Sequence, residues 1–225
     1  MLLLSLDTSI RGCSVAVHAD SVLLAAYDLY TDRSSSAMLT TLMKSAVENA
    51  GFKLSDLDAI AVAKGPGSYT GLRVGVSTAK GLCYALDKPL IAVNTLEAMS
   101  LQVIPFFPKG SLFCPMIDAR RMEVYAAIYD ADLHVLKPVS ADVLDDASYA
   151  EFEPFVFFGD GAAKVTESWA GRNILFDNEL RPSATGQISL AYAKLLKGEV
   201  EDVAYFEPFY LKEFVGTVKK TEDKA

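Results

Sequence analysis

The sequence predicts an α/β protein in which one unit, three strands, a helix and a further strand, is laid down twice. Three observations support this. An apolar segment at 2–6 runs into Asp7-Thr8-Ser9, and the same pattern returns when 111–117 runs into Asp118-Ala119-Arg120. Each segment is followed by alternating apolar and polar residues at the period-2 spacing of half-buried strands, 13–18 and 22–29 first, 123–129 and 133–139 later. Between the copies stands Ile104-Pro105-Phe106-Phe107-Pro108-Lys109-Gly110, whose prolines and glycine break any periodic element. The expected organisation is therefore an N-terminal lobe of residues 1–103 and a C-terminal lobe of residues 104–225.

Taken in order, the first three strands form a meander turning at Arg11-Gly12 and Ala19-Asp20. Ser34, Ser35 and Ser36 offer N-caps for a helix over 37–50, which Gly51 can end in the left-handed conformation. Its apolar residues Met38, Leu39, Leu42, Met43, Ala46, Val47 and Ala50 make a stripe wider than one core face needs. Either a partner covers the surplus, or the helix is pinned deeply between sheet and neighbour. A fourth strand over 58–63 leads through a glycine-rich turn into a helix over 71–86. There Leu72, Val76, Ala79, Cys83 and Leu86 form a core row, and Gly71, Gly75 and Thr78 form a small-residue row beside it. Each glycine costs about 1 kcal/mol of helix propensity relative to alanine, so the row is expected to serve close packing of another helix. A strand over 89–93 and a helix over 95–103 complete the first lobe. In the second, a strand over 155–158 ends in Gly159-Asp160-Gly161, with helices expected over 162–169 and 183–196 and a charged tail over 216–225.

Composition limits the function classes. A hydrophobic content of 51% with 22% charged residues is that of a globular protein with a sizeable core. A formal charge of −8 argues against tight nucleic-acid binding by this chain alone, since neutralising phosphates takes clustered Lys and Arg. Cys13, Cys83 and Cys114 are odd in number and lack C-x-x-C spacing, so they read as buried thiols of a reducing compartment. The opening run lacks a basic n-region and meets Asp7 after six residues, and no apolar run reaches the length of a membrane span. The expected location is the cytoplasm.

The turn Lys64-Gly65-Pro66-Gly67-Ser68-Tyr69-Thr70-Gly71-Leu72-Arg73-Val74-Gly75 joins strand to helix as a phosphate cradle would. It nevertheless fails both nucleotide tests. Gly67 and Gly71 are four apart and followed by Leu72-Arg73, not by the Lys-Ser of a Walker loop, and Thr70 stands where a dinucleotide fingerprint has its third glycine. Asp7, Thr8 and Ser9, with Gly159, Asp160 and Gly161, sit at strand ends where small donors can hold phosphates; ordinary turn chemistry explains them equally. Asp118-Ala119-Arg120-Arg121-Met122-Glu123 could line a cleft or be a solvated turn pairing its own charges. Catalytic and metal candidates are thin. His18 and His134 each stand alone, no H-x-x-x-H occurs, and Ser68 lacks a nucleophile elbow.

Together these residues resemble the bacterial TsaB family, non-catalytic glycoprotease-like proteins of tRNA threonylcarbamoyladenosine synthesis. Leu6-Asp7-Thr8-Ser9, the glycine-rich stretch from Gly65 to Leu82, Ile117 to Tyr125, Gly159-Asp160-Gly161 and Pro208-Phe209-Tyr210-Leu211 carry the similarity, which spans nearly the whole chain. The chain departs at Ser34-Ser35-Ser36-Ala37, where many relatives have a His. The resemblance implies a two-lobed actin-like ATPase (ribonuclease H-like) fold, each lobe a mixed sheet with flanking helices. It implies a scaffold without activity of its own, working with a catalytic paralogue, TsaD, and an ATPase, TsaE. That complex transfers a threonylcarbamoyl group to the adenosine beside the anticodon of tRNAs reading A-starting codons. Implied too are a helical interface for the paralogue, or for a second copy in its absence, and contact with tRNA only through the complex. On this chain the interface maps to Met38, Leu39, Leu42, Met43, Gly71, Val74, Gly75 and Thr78. Asp7, Thr8, Ser9, Gly159, Asp160 and Gly161 map to a vestigial nucleotide cleft, with no cofactor held tightly by the chain alone and ATP or ADP expected only in the assembly. The alternative is a small-molecule kinase of the same superfamily using those two loops; a peptidase lacks both a metal pair and a triad.

Overall fold

The structure, a computed structural model, describes residues 1–31 and 35–212, with nothing to say of the side chains at 35 and 36. The N-cap expected among Ser34, Ser35 and Ser36 and the tail over 216–225 lie outside what is described. Strands β1 (Leu2–Asp7), β2 (Cys13–Ala19) and β3 (Val22–Leu29) form the expected antiparallel meander, with Leu4 opposite Val17 and Val15 opposite Tyr27. Helix α1 (Ser35–Asn49) ends at Gly51, whose φ of 87° confirms the left-handed stop. β4 (Ala59–Gly65), α2 (Tyr69–Leu86), β5 (Leu90–Asn94) and α3 (Thr95–Val103) follow, β4 and β5 joining the sheet parallel to β1.

The first sheet is covered on both faces, which is why β1 and β4 read as unbroken apolar runs. Leu2, Leu4 and Leu6 pack with Leu39, Met43 and Val47 of α1 and Val76, Ala79 and Cys83 of α2. On the opposite face Leu3, Ala61, Ile91 and Val93 pack with Ala98 of α3 and Ala191 of the last helix, α4 (Ile188–Lys197). Burial on this scale contributes roughly 25 cal/mol for each Å² of apolar surface removed from water. Cys13, Cys83 and Cys114 are buried and unpaired, as the sequence predicts.

The second sheet repeats the first. Its strands are β6 (Phe113–Asp118), β7 (Glu123–Tyr129), β8 (Val135–Val143), β9 (Val156–Phe158) and β10 (Ile174–Leu175). The order β3-β2-β1-β4-β5 of one sheet is matched by β8-β7-β6-β9-β10 of the other, with β6 and β7 antiparallel and β6 and β9 parallel. The two-lobed, twice-built fold is therefore present. Helix α3 sits at the seam, where Leu96, Met99 and Val103 share a core with Phe113, Tyr129 and Phe158.

Two expectations are corrected. The helix over 162–169 is a 3₁₀ turn, Asp160–Lys164, followed by irregular turns. Trp169 decides this: fully buried, it is ringed edge-on by Tyr149, Phe155 and Phe157 and donates its indole N–H to the Asp145 carbonyl at 3.1 Å. Tertiary packing there overrides helix propensity. The other concerns the chain beyond residue 187, expected in the second lobe. Helix α4 packs on the first sheet, and Glu201 bonds back to the β5 strand at Leu90.

Candidate functional site

The first functional loop follows from how β1 ends. Asp7 is 2% exposed; its Oδ1 accepts from the Ser9 N–H at 2.8 Å and the Ser9 hydroxyl at 2.6 Å, and its Oδ2 from Gln187 Nε2 at 3.2 Å. Burial pushes this carboxyl above its ordinary range, and the three donors offset only part of the shift. Asp7 therefore faces inward. Thr8 is also buried, donating from Oγ1 to the Gly71 carbonyl at 2.7 Å, and the Ser9 carbonyl accepts from Ser68 N at 2.6 Å.

These contacts explain the glycine row of α2. A Cβ at Gly67 would lie 2.3 Å from the Ser9 carbonyl oxygen, one at Gly71 2.0 Å from the Thr8 carbonyl oxygen, and one at Gly75 2.2 Å from Thr8 Oγ1. Of the row expected to admit another helix, Gly71 and Gly75 face this chain's own β1 loop. The start of α2 is filled in the same way. Ser68 caps it, accepting from Gly71 N at 3.2 Å, and its own N–H is spent on Ser9. Loop and helix end satisfy each other at Ser68 and Gly71, so two of the donors a phosphate would use there are taken.

The second loop is arranged differently. Gly159 has φ of 98°, and a Cβ there would lie 2.3 Å from the Met116 carbonyl oxygen, so only glycine fits. Asp160 Oδ1 accepts from Asp118 N at 2.8 Å. Asp118 in turn accepts from Arg120 N at 2.5 Å and Lys164 Nζ at 2.7 Å. Burial pushes the Asp118 carboxyl up, but these donors outweigh it and hold the group below the usual carboxylate range.

Between the lobes lies a cleft of about 1180 Å³. One wall is Ser9 to Arg11 with 67–70, the opposite wall is 117–121 with Glu123, Tyr125 and Asp160, and 209–212 close the third side. Of the six residues assigned to a nucleotide cleft, only Ser9 and Asp160 line it. Asp7 and Thr8 are buried and do not line it, and Gly159 and Gly161 pack against the β6 strand at Met116. The 118–123 segment does line the cleft, and Asp118 pairs with Lys164, not with its own arginines. Sequence reasoning missed Arg11, Tyr69 and Tyr210 as cleft residues. The Pro208-Phe209-Tyr210-Leu211 segment carried a family signal, but no periodicity could show where it docks.

The residues mapped to a partner interface divide in two. Leu39 and Met43 are buried in this chain's own core, at 0% and 4% exposure, and Gly71 and Gly75 face Thr8. These four make contacts within this chain, Leu39 and Met43 in the core and the α2 glycines against the β1 loop, with Gly71 still half-buried. Met38, Leu42, Val74 and Thr78 remain half-buried, accessible from outside on the α1 and α2 surfaces.

His18 is fully buried, its Nδ1 donating to the Asp20 carbonyl at 2.7 Å and its Nε2 3.3 Å from the Ser5 hydroxyl. His134 is exposed and bonded to Asp130. No three His, Cys, Asp or Glu residues converge as metal ligands among the described residues, and no helix among them is long and apolar enough to cross a membrane.

Two sheets of matched strand order, with a cleft lined by loops of both, define a two-lobed α/β class. Within that class, the profile of the family described as "TsaD: tRNA N6-adenosine threonylcarbamoyltransferase" matches residues 30–206, and the chain belongs to this family. It is 35% identical over 142 residues to the tRNA threonylcarbamoyladenosine biosynthesis protein TsaB of Bacillus subtilis, an alignment covering 63% of this chain and 61% of the relative. It is 29% identical to the Escherichia coli protein of that name, over 97% of this chain and 98% of the relative. Among solved structures it resembles a Pseudomonas aeruginosa protein described as similar to the peptidase YeaZ, with a TM-score of 0.79 and 28% identity over 94% of this chain and 99% of the other.

Proposed function

We propose that this chain is a non-catalytic scaffold in tRNA threonylcarbamoyladenosine synthesis. It supports a catalytic paralogue, TsaD, together with an ATPase, TsaE, and it meets tRNA only through that assembly. The observation that carries the reading is the sealed β1 loop. Asp7 is buried, the Thr8 hydroxyl is spent on the Gly71 carbonyl, and the Ser9 hydroxyl is spent on Asp7. A kinase of this fold would need Asp7 and Thr8 facing the cleft, which neither lines, so the small-molecule kinase reading loses support.

The partner surface is the outer side of α1 and α2 around Met38, Leu42, Val74 and Thr78, taken by the paralogue or, in its absence, by a second copy of this chain. ATP or ADP enters the cleft in the assembled complex, where Arg120 and Arg121 offer cations beside it. The test is reconstitution with purified components. The expected result is no modified tRNA from this chain alone, and full modification when paralogue, ATPase and threonylcarbamoyl-adenylate are added. Turnover by the isolated chain would overturn the scaffold reading.

A further inference from the structure

The cleft's third wall, residues 209–212, ends a segment running from residue 201 that neither the β1 loop nor the partner surface accounts for. It starts on the first lobe, where Glu201 N donates to the Leu90 carbonyl at 2.8 Å. It then runs along α2: Lys80 Nζ donates to the carbonyls of Ala204 at 3.1 Å and Phe206 at 2.9 Å. At the end of β4, Phe209 N donates to the Lys64 carbonyl at 2.7 Å. The approach is close enough that a Cβ on Gly65, whose φ is 114°, would lie 2.8 Å from the Phe209 carbonyl oxygen. Tyr210 then packs on Tyr69 with ring centroids 4.8 Å apart and takes a hydrogen bond from Arg73 Nε at 3.2 Å, while Arg73 lies 4.4 Å over the Tyr69 ring. Two residues on, the segment has crossed to the second lobe. Lys212 forms an ion pair with Glu123 of β7, and its Nζ reaches the Ala119 carbonyl at 3.4 Å.

We propose that this segment is a clamp between the lobes. Tyr210 and Lys212 tie the first turn of α2 to the β6–β7 turn, and through that tie the second lobe sets the pitch of the helix that carries Val74 and Thr78. Glu123, Tyr210 and Lys212 are then positioning residues for the partner surface without being part of it. The inference rests on the scaffold reading for its functional consequence only; the mechanical coupling stands on the contacts above. Coupling of this kind is reciprocal, so loosening either end must be felt at the other.

Hydrogen exchange of the whole chain tests it. Glu123→Gln, which removes the charge on the second lobe, is expected to speed exchange of the Gly71 and Leu72 amides, both bonded to Ser68, by about fivefold or more. Tyr210→Ala, made on the first lobe, is expected to do the same to the Ala119 and Glu123 amides that close the β6–β7 turn. Lys212→Met should reproduce both effects and Lys212→Arg should leave wild-type rates, while the β1 and β2 amides stay protected in every variant. If Glu123→Gln leaves Gly71 and Leu72 at wild-type rates, or Tyr210→Ala leaves the β6–β7 turn at them, the clamp is overturned. A second readout, binding to the paralogue, separates this from the scaffold reading. Glu123→Gln should weaken association about fivefold, whereas Leu42→Glu should abolish it with wild-type exchange. Unchanged association of Leu42→Glu overturns the partner surface, and the exchange result still decides the clamp.

Discussion

At Gly71 a methyl group has nowhere to go, because the atom it would strike is a backbone oxygen. Alanine there would put its Cβ 2.0 Å from the Thr8 carbonyl oxygen, so either α2 or the β1 loop must move. Overpacking of this kind costs about 1–3 kcal/mol, which outweighs the roughly 1 kcal/mol gained in helix propensity. At Gly81, ten residues along the same helix, nothing lies within 4 Å of the added atom. Gly71→Ala is therefore expected to lower the urea midpoint and Gly81→Ala to raise it, as measured by circular dichroism; equal shifts of one sign would refute the intramolecular role of the row. His18 gives a second residue-scale expectation. Burial lowers its pKa below the ordinary 6.5, with the hydrogen bond to Asp20 offsetting part of the shift. The unfolded chain thus takes up a proton near pH 6.5 that the folded chain refuses, so this contribution is present above that pH and lost as pH falls. Replacing His18 by Gln should flatten the fall in stability between pH 7 and 5 relative to the wild type. An unchanged slope in equilibrium unfolding would show that His18 is not its source.

At the scale of elements, helices α1 and α2 divide their apolar residues between core and surface, and neighbouring positions should behave oppositely. Met43 is packed against β1 and β2, so Met43→Glu buries an unpaired charge and should cost several kcal/mol, enough to unfold a marginal domain. Leu42 is half-buried, and Leu42→Glu should leave the melting temperature near wild type while abolishing self-association in sedimentation velocity. If Leu42→Glu unfolds the chain as Met43→Glu does, the surface is core. The helices also show what was legible from sequence. Of the expected core row, Leu72, Val76, Ala79 and Cys83 are buried and Leu86, at the helix end, is half-buried, since periodicity reports which side of a helix is apolar. It does not report what fills a notch. The partner of Gly71 and Gly75 is Thr8, more than sixty residues earlier, and that contact exists only once β1 and β4 have paired. Likewise 162–169 has a helical composition, and only the surrounding cage of Tyr149, Phe155 and Phe157 holds Trp169 elsewhere.

For the whole molecule, the duplication was legible because its evidence is local and repeated, an apolar strand ending in an Asp loop and then a hairpin. How the copies join was not, because the joining groups are scattered along the chain. Helix α3 contributes Leu96, Met99 and Val103 to a core shared with Phe113, Tyr129, Val156 and Phe158 of the second sheet. Gln187, fully buried, reaches the Leu6 carbonyl at 2.9 Å, and α4 beyond it covers the first sheet. Neither lobe closes its core without chain from the other side of residue 104. The two sheets should accordingly unfold as one cooperative unit despite their separate hydrogen-bond ladders. Calorimetry is expected to give a single transition whose calorimetric and van't Hoff enthalpies agree. Phe158→Ala, in the shared core, should destabilise that transition by about 3–5 kcal/mol. It should also speed global exchange of β1 amides by the factor that this loss of stability implies, although Phe158 belongs to the other sheet. Two resolved transitions, with only the second sheet's amides sensitive to Phe158→Ala, would mean that α3 packs against the second lobe without coupling its stability to the first.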